Sequence, residues 1–487
     1  MLHPDDVDEL EEKRICYQCV GEAYLSSSIE MDGTLAKCCY CGKTAETYAL
    51  DTVAECVETA FEHHYYRTAE EPEYWQQRLL ADRESSYSWF REGDPVIDAI
   101  EAAALIPREA AADIQAILDD KHSDFEAAQM GEETPFSSDT YYAERGGSDS
   151  KWQEEWRKFE QSLKTEARFF SRTAAAHLAE VFGGIDKLKT TDGRSLVVEA
   201  GPDCPIDHLY RGRVFQSDDP LLEALSYPDI ELGSPPTNLA SAGRMNARGI
   251  SVFYGGDEAH VAIAEVRPPV GSKVAVARFN IIRRLRLLDL TALPKIHESG
   301  SIFDPLFSER LDRADFLRSL GKRMTKPVMP NDEALDYLAT QATADFLATE
   351  NDPVLDGIIF PSAQVENGRN VVLFHKAAKV EPMELPAGTE ITAYDKQATD
   401  EGYDVDYSVL ERVPAPTATA ENSPVAPFLS NFIDMPEQGR ENSLRIDPIS
   451  VVIHHVDWVK YHCIEHQVNR YRLVLADGAD ANDDIEF

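Results

Sequence analysis

The chain has 487 residues, which suits two to four domains. Its hydrophobic fraction of 43% supplies real cores, and an aromatic content of 9% argues against global disorder. With 47 basic and 87 acidic residues the formal charge is −40, which disfavours generic duplex binding, because neutralising phosphates takes clustered Lys and Arg. No run of about 18 apolar residues predicts a membrane span. The acidic start Met1-Leu2-His3-Pro4-Asp5-Asp6 lacks the apolar core of a signal peptide. Eight cysteines in so long a chain, five of them within the first 41 residues, point to a reducing, cytoplasmic setting rather than a secreted disulfide framework.

Residues 1–45 carry Cys16-x-x-Cys19 and Cys38-x-x-Cys41, with 18 residues between the pairs. That spacing predicts a zinc-ribbon-like module. Two tight turns each aim two thiolates at one tetrahedral ion, and four cysteines leave no open position for catalysis. Few apolar residues lie between the pairs, so the metal would supply folding free energy. Cys39 is a spare thiol that could replace Cys38.

Residues 46–187 predict a helical domain. Thr47–Tyr65, Tyr74–Phe90, Val96–Ile106 and Glu109–Leu118 show helical spacing, with Pro107 where a helix would begin. Residues 131–150 predict a loop. Trp152–Phe182 predicts one long amphipathic helix, stopped by Gly183-Gly184. Within it, Arg172 and His177 are separated by four residues. That pair, on a helix, resembles the motif of HEPN-type ribonucleases, so the region resembles a HEPN-like bundle, and the fold analogy is adopted without the nuclease.

The texture changes near residue 188. Ser195–Ala200, Leu209–Phe215, Val252–Tyr254, Val261–Val266, Lys273–Phe279 and Val371–His375 read as strands. Ser308–Leu320 and Asp332–Ala348 read as helices between them. Residues 188–385 therefore predict an α+β catalytic domain rather than regular βαβ alternation. Residues 386–443 form an extension with a Pro/Ala/Thr linker. Residues 444–476 predict a small β unit, with strands at Ser450–Val456 and Arg470–Leu475, and 477–487 an acidic tail.

Four stretches in this domain carry chemistry. The first is Leu209-Tyr210-Arg211-Gly212-Arg213. The second, Gly243-Arg244-Met245-Asn246-Ala247-Arg248-Gly249, is a basic glycine-flanked loop before the strand that ends in Tyr254. In the third, Glu265 stands between Ala264 and Val266 on an expected strand, which predicts a partly buried carboxylate. The fourth, Asp356-Gly357-Ile358-Ile359-Phe360-Pro361-Ser362, ends an apolar strand in a serine and is followed by Gly368-x-Asn370. Two arginines in one glycine loop of so acidic a chain call for an anionic partner.

This ordered set of Arg, Glu and Ser resembles the RES domain family, over roughly residues 205–382. The resemblance implies a fold like that of ADP-ribosyltransferases, with a split β core around a dinucleotide cleft. It implies NAD+ as the substrate, as in toxins that consume it by hydrolysis or phosphorolysis, with an antitoxin or trigger as partner. Arg211, Glu265 and Ser362 carry over as catalytic residues. Arg244, Tyr254, Asn246 and Arg248 carry over as NAD+-binding residues from the loop and its strand. Met245 stands where the family has an aromatic residue.

The residue types suit that chemistry on their own terms. Cleaving the nicotinamide–ribose bond builds an oxocarbenium-like centre, and the cationic pyridinium leaves as a neutral base. One carboxylate is then enough to stabilise the sugar, and Glu265 offers it. Arginine forks suit a pyrophosphate, which fits Arg211 and Arg244. Tyr254 offers a ring face to nicotinamide. Ser362 can hydrogen-bond the ligand but has no His–Asp pair to make it a nucleophile. Phosphate or water as acceptor, ADP-ribosyl transfer to a macromolecule, and an inactive sensor with an intact fold are the readings these residues leave open.

Overall fold

Among the described residues three large cores organise the protein, and they divide the chain differently from its composition. The computed structural model describes residues 4–82, 85–124, 126, 130, 132–329, 331–399, 402–414, 440–460 and 463–470.

The first core joins the cysteine-bearing segment to the helices after it. β1 (Arg14–Cys16), β2 (Thr34–Lys37) and β3 (Thr44–Ala49) form an antiparallel sheet in the order β1-β3-β2, with α1 (Ala23–Asp32) between β1 and β2. α2 (Leu50–His64), α3 (Tyr74–Ala81), α4 (Val96–Ala104) and α5 (Arg108–Lys121) follow. Ile15, Val20, Leu25 and Ile29 pack with Val53, Val57 and Phe61 of α2, Ile100 of α4, and Ile114 and Leu118 of α5. The cysteine segment is thus part of a shared core. Each of its fully buried aliphatic side chains contributes about 1.5–3 kcal/mol.

Three expected helices are shorter than their apolar spacing suggested. Thr44–Ala49 is a strand, because Ala45 and Thr47 turn inward at period two, and the helix starts only at Leu50. The stretch Tyr74–Phe90 is helical only over α3, whose large side chains Tyr74, Trp75, Leu79 and Leu80 are exposed and find no core. α4 stops at Ala104 because Leu105 turns left-handed (φ 52°), and Pro107 immediately precedes α5.

The second and third cores lie on opposite faces of one large sheet. Among the described residues it has eight strands. They are β4 (Val197–Ala200), β5 (His208–Phe215), β6 (Phe253–Gly256), β7 (Lys273–Ile281), β8 (Leu285–Asp289), β9 (Gly357–Pro361), β10 (Arg369–Leu373) and, after the hairpin β11 (Glu390–Thr399) and β12 (Gly402–Arg412), β13 (Leu444–His455). The order is β13-β7-β5-β6-β10-β9-β8-β4, and only β8 with β9 runs parallel. Both faces are buried, so the strands read as continuous apolar runs. Leu288, Ile358 and Val372 face one core, while Leu287, Ile359 and Leu373 face the other. The fold is α+β, as expected. No described helix is long and apolar enough to cross a membrane.

The second core corrects the expected helical domain. The single helix expected over Trp152–Phe182 is two, α6 (Ser150–Thr165) and α7 (Arg172–Phe182). Ser171 starts the second: its hydroxyl accepts from the Ala174 N–H at 3.2 Å, a cap that favours a fresh helix start. Trp156, Phe159, Leu163, Leu178 and Phe182 from this pair pack on Phe316, Leu317 and Leu320 of the helix Phe307–Thr325 and on the sheet. Here α8 is Asp218–Ser226, α9 is Ala259–Glu265, α10 is Phe307–Thr325, α11 is Glu333–Asp336 and α12 is Leu338–Thr349. The helices drawn as one domain over 46–187 therefore serve two cores.

The stretch expected as a separate β unit at 444–476 also belongs to the sheet. β13 pairs antiparallel with β7 and buries Leu444 and Ile446 in the third core. Of the expected strand Arg470–Leu475 only Arg470 is described. The Pro/Ala/Thr linker beyond Pro414, as far as residue 439, and the acidic tail lie outside the described residues.

Candidate functional site

The cleft opens where the sheet is weakest. β5 and β6 share a single register pair, Gly256 with Tyr210, whereas β5 pairs with β7 along its whole length. Helix α9 lies directly over this junction. It can do so because its floor is glycine: a Cβ on Gly256 would sit 3.0 Å from the Ala262 nitrogen, and one on Gly212 3.1 Å from the Ala262 carbonyl oxygen. Gly256→Val is expected to destabilise the protein by about 1–3 kcal/mol through this overpacking, read by denaturant unfolding.

That helix corrects the expected setting of Glu265. Val261–Val266 is not a strand; Ala259–Glu265 is helical, and Glu265 is its last residue. The alanines favour a helix, and Val261 and Ala262 bury one face of it on the glycines. Glu265 is exposed rather than partly buried. It stands at the cleft and accepts a hydrogen bond at Oε2 from Asn370 Nδ2 at 3.0 Å. Its other oxygen has no hydrogen bond among the described residues. Asn370 was not expected as a site residue. Its signal was an amide in the apolar strand Arg369–Leu373, where it is buried.

Arg211 lines the same cleft from β5. Its guanidinium lies 5.0 Å over the Phe253 ring. Nη1 is buried with no hydrogen-bond partner, and Arg211 has no ion pair among the described residues. Burial, with Arg213 adding to it, pulls its pKa down to about 10. The group stays protonated at neutral pH, so an anion entering the cleft would relieve an unpaired buried cation. Arg213, by contrast, is engaged by the carboxylate and carbonyl of Glu231 at 2.6 and 2.7 Å.

Tyr254 lines the cleft from β6, and its hydroxyl holds the basic loop. It donates to Asn246 Oδ1 at 3.1 Å and accepts from the Met245 N–H at 3.0 Å. Burial pushes its pKa up to about 12, so it stays neutral at physiological pH. Asn246 is buried, and its Nδ2 donates to the carbonyls of Ser241, Ala247 and Ile250. Both its amide atoms thus tie the loop together rather than face the cleft. Tyr254→Phe is expected to cost about 1–2 kcal/mol by stranding these partners, seen as a lower melting temperature.

The rest of the loop turns elsewhere. Met245 is buried in the second core, so the position expected to offer a stacking surface anchors the loop instead. Arg244 donates from Nη1 to the carbonyls of Met324 and Lys326, at 3.0 and 2.8 Å, and lies 5.1 Å over the Tyr337 ring. It pins the loop to the end of α10 and is not among the cleft-lining residues. Arg248 is exposed on the loop. Ser362 is also outside the lining: its hydroxyl accepts from the N–H groups of Gln364 and Val365 at 3.1 and 3.2 Å, shaping the turn between β9 and β10. That turn brings Arg369 to Asp257, which it meets at 3.0 Å, and so fixes β10 and Asn370 beside β6.

The cleft thus unites Arg211, Tyr254, Glu265 and Asn370, and encloses about 420 Å³ of space partly open to solvent. Residues 213–394 match the RES domain family. The chain carries a RES domain. The match begins two residues after Arg211 and contains Arg244, Tyr254, Glu265 and Ser362. The RES family is linked to NAD+-related toxin function. No curated protein and no solved structure matches the chain.

Away from the RES cleft, the four expected cysteines converge. Cys16 Sγ lies 3.7 Å from Cys19 and 3.6 Å from Cys41, and Cys19 lies 3.8 Å from Cys38. A tetrahedral zinc with bonds of about 2.3 Å needs sulfurs roughly 3.8 Å apart, so the donor set fits. Burial pushes the Cys16 and Cys19 thiols up, so ionising them there calls for a cation. Of the adjacent Cys38 and Cys39, Cys38 is buried within the group and Cys39 is exposed outside it.

Arg172 and His177 do not form a site. Arg172 is exposed at the start of α7, whereas His177 sits among Trp152, Trp156 and Phe159, with ring centroids 5.6–6.5 Å away. Burial lowers the His177 pKa, which keeps it neutral.

Proposed function

We propose that the RES cleft binds NAD+ and cleaves its nicotinamide–ribose bond. The observation that carries this is the pairing of an unpartnered buried arginine with an exposed carboxylate in one cleft. Arg211 receives the pyrophosphate, and Tyr254 presents its ring face to nicotinamide. Glu265, held at one oxygen by Asn370, faces the ribose with the other and stabilises the developing positive charge. The C–N bonding pair leaves with nicotinamide, which becomes neutral. An oxygen of water or phosphate then bonds to the ribose carbon, and its proton passes to solvent. Ser362 and Arg244 act as positioning residues that hold the cleft's walls.

The four-cysteine group holds a structural zinc in this reading and takes no part in the reaction. The test of the activity is release of nicotinamide from NAD+ by the purified protein, with and without phosphate. Release above that of Glu265→Gln supports the reading, and ADP-ribose-1-phosphate among the products identifies phosphate as acceptor. A folded protein that releases no more than Glu265→Gln overturns it.

A further inference from the structure

A second cavity lies behind the basic loop, against the end of α10, and it is unusual in so acidic a chain. It encloses about 1260 Å³, open to solvent, three times the RES cleft's 420 Å³ by the same measure. Five cations line it: Lys164, Arg244, Lys322, Arg323 and Lys326. Two carboxylates also face it. Asp336 is paired with Lys164 at 2.8 Å, and Glu160 accepts from the Trp156 indole at 2.7 Å. Arg244, Lys322, Arg323 and Lys326 have no ion pair among the described residues.

Cations gather at the end of α10 in part because a helix C-terminus is negative, and Arg244 bonds its last carbonyls directly. The dipole does not account for Arg323. Its Nη2 donates to Gln153 Oε1, yet Nη1 is buried with no partner. Arg323 thus lines the cavity with a guanidinium nitrogen left without a partner, beside three further cations that have no ion pair among the described residues, and this calls for an acceptor that carries negative charge.

We propose that this cavity binds a phosphorylated small molecule. Its volume suits an anion of nucleotide or polyphosphate size better than a single phosphate, and Arg323 with Lys322 and Lys326 would hold the phosphates. The site shares the loop with the RES cleft, because Arg244 borders the cavity while the next residue, Met245, bonds Tyr254. The proposal stands on this cavity's own geometry and does not depend on the chemistry of the cleft.

The test is calorimetric titration of the full chain carrying Glu265→Gln, which removes turnover, at fixed ionic strength. Tripolyphosphate, AMP and adenosine are the probes. At least one phosphorylated probe is expected to bind, and adenosine is not. AMP ahead of tripolyphosphate points to a nucleotide, and the reverse order to a polyphosphate. Adding Lys322→Glu with Lys326→Glu, both exposed positions, is expected to weaken binding at least about tenfold, as is Arg323→Gln alone. Adding Arg211→Lys is expected to leave it unchanged. Absence of binding by both phosphorylated probes overturns the proposal. So does binding that survives the lysine reversals, or that disappears with Arg211→Lys, which would place the anion in the cleft.

Discussion

Glu265→Gln is expected to lower nicotinamide release by at least about a hundredfold, the scale of losing one electrostatic stabiliser of a transition state, and to leave the melting temperature unchanged. Both halves follow from where the side chain sits. Glu265 is the exposed last residue of α9, and its contact is the Asn370 amide. The glutamine carbonyl can accept that bond in place of the carboxylate, so the fold loses little. What disappears is the negative charge beside the ribose, which matters only as the sugar becomes positive. On the proposed function the substitution should therefore reduce kcat with little change in KM, because there Arg211 and Tyr254 would hold ground-state NAD+. Asn370→Ala makes the complementary case. It keeps the charge but frees the carboxylate to rotate, and its expected effect is smaller and also on kcat. A rise in KM alone for Glu265→Gln would mean that the carboxylate binds substrate and does not stabilise the reacting centre.

Which residues share this cleft was more legible in the sequence than how each is held there. Arg211, Tyr254 and Glu265 meet, as their order along the chain suggested. The element that carries Glu265 differs from the expected strand because the short apolar run Val261-Ala262-Ile263-Ala264 satisfies a short strand and a short helix equally well. The deciding fact is tertiary: Gly212 and Gly256, distant in sequence, form a floor flat enough for a helix to lie on. Arg244 and Ser362 illustrate a second limit. An arginine beside a glycine and a serine after a proline look available to a ligand in one dimension. In three, the carbonyls of α10 and the amides of the β9–β10 turn have first claim on them. Asn370 shows the converse: an amide in an apolar strand signals a polar side chain in need of a partner, but not that the partner will stand in a cleft.

Domain boundaries were obscured for a related reason. Helical periodicity shows that α5 and α6 each have an apolar face, but not which core receives it. Trp156 and Phe182 pack with Phe316 of α10, while Ile114 and Leu118 pack with Leu25 and Ile29 of the cysteine segment. Phe136 and Tyr142, between the two sets, still pack in the first core, so the chain crosses between cores after Tyr142, inside what composition presents as one helical domain.

This division makes the response to metal removal specific. The purified protein is expected to hold one zinc per chain, and a strong chelator is expected to unfold the first core while the RES sheet stays folded. Structural zinc contributes on the order of 10 kcal/mol to small domains, and here Ile15, Val20, Leu25 and Ile29 tie that contribution to α2, α4 and α5. Loss of the ion leaves four thiols packed within 4.8 Å of one another with nothing to join them. The disruption should reach Phe136, Tyr142 and Phe303, which share that core, and spare α6 and α7, which belong to the second core. Calorimetry should show the low-temperature transition shift on chelation and the high-temperature one remain. The two neighbouring thiols sharpen the test. Cys38 is buried among the other three and its backbone carbonyl accepts from the Gly42 N–H at 3.0 Å in a tight turn, whereas Cys39 Sγ accepts from the Arg14 N–H at 3.3 Å outside the group. Cys38→Ser should therefore lose zinc and the first transition, and Cys39→Ser should keep both. Equal zinc content in the two variants would mean that the thiols exchange places around the ion.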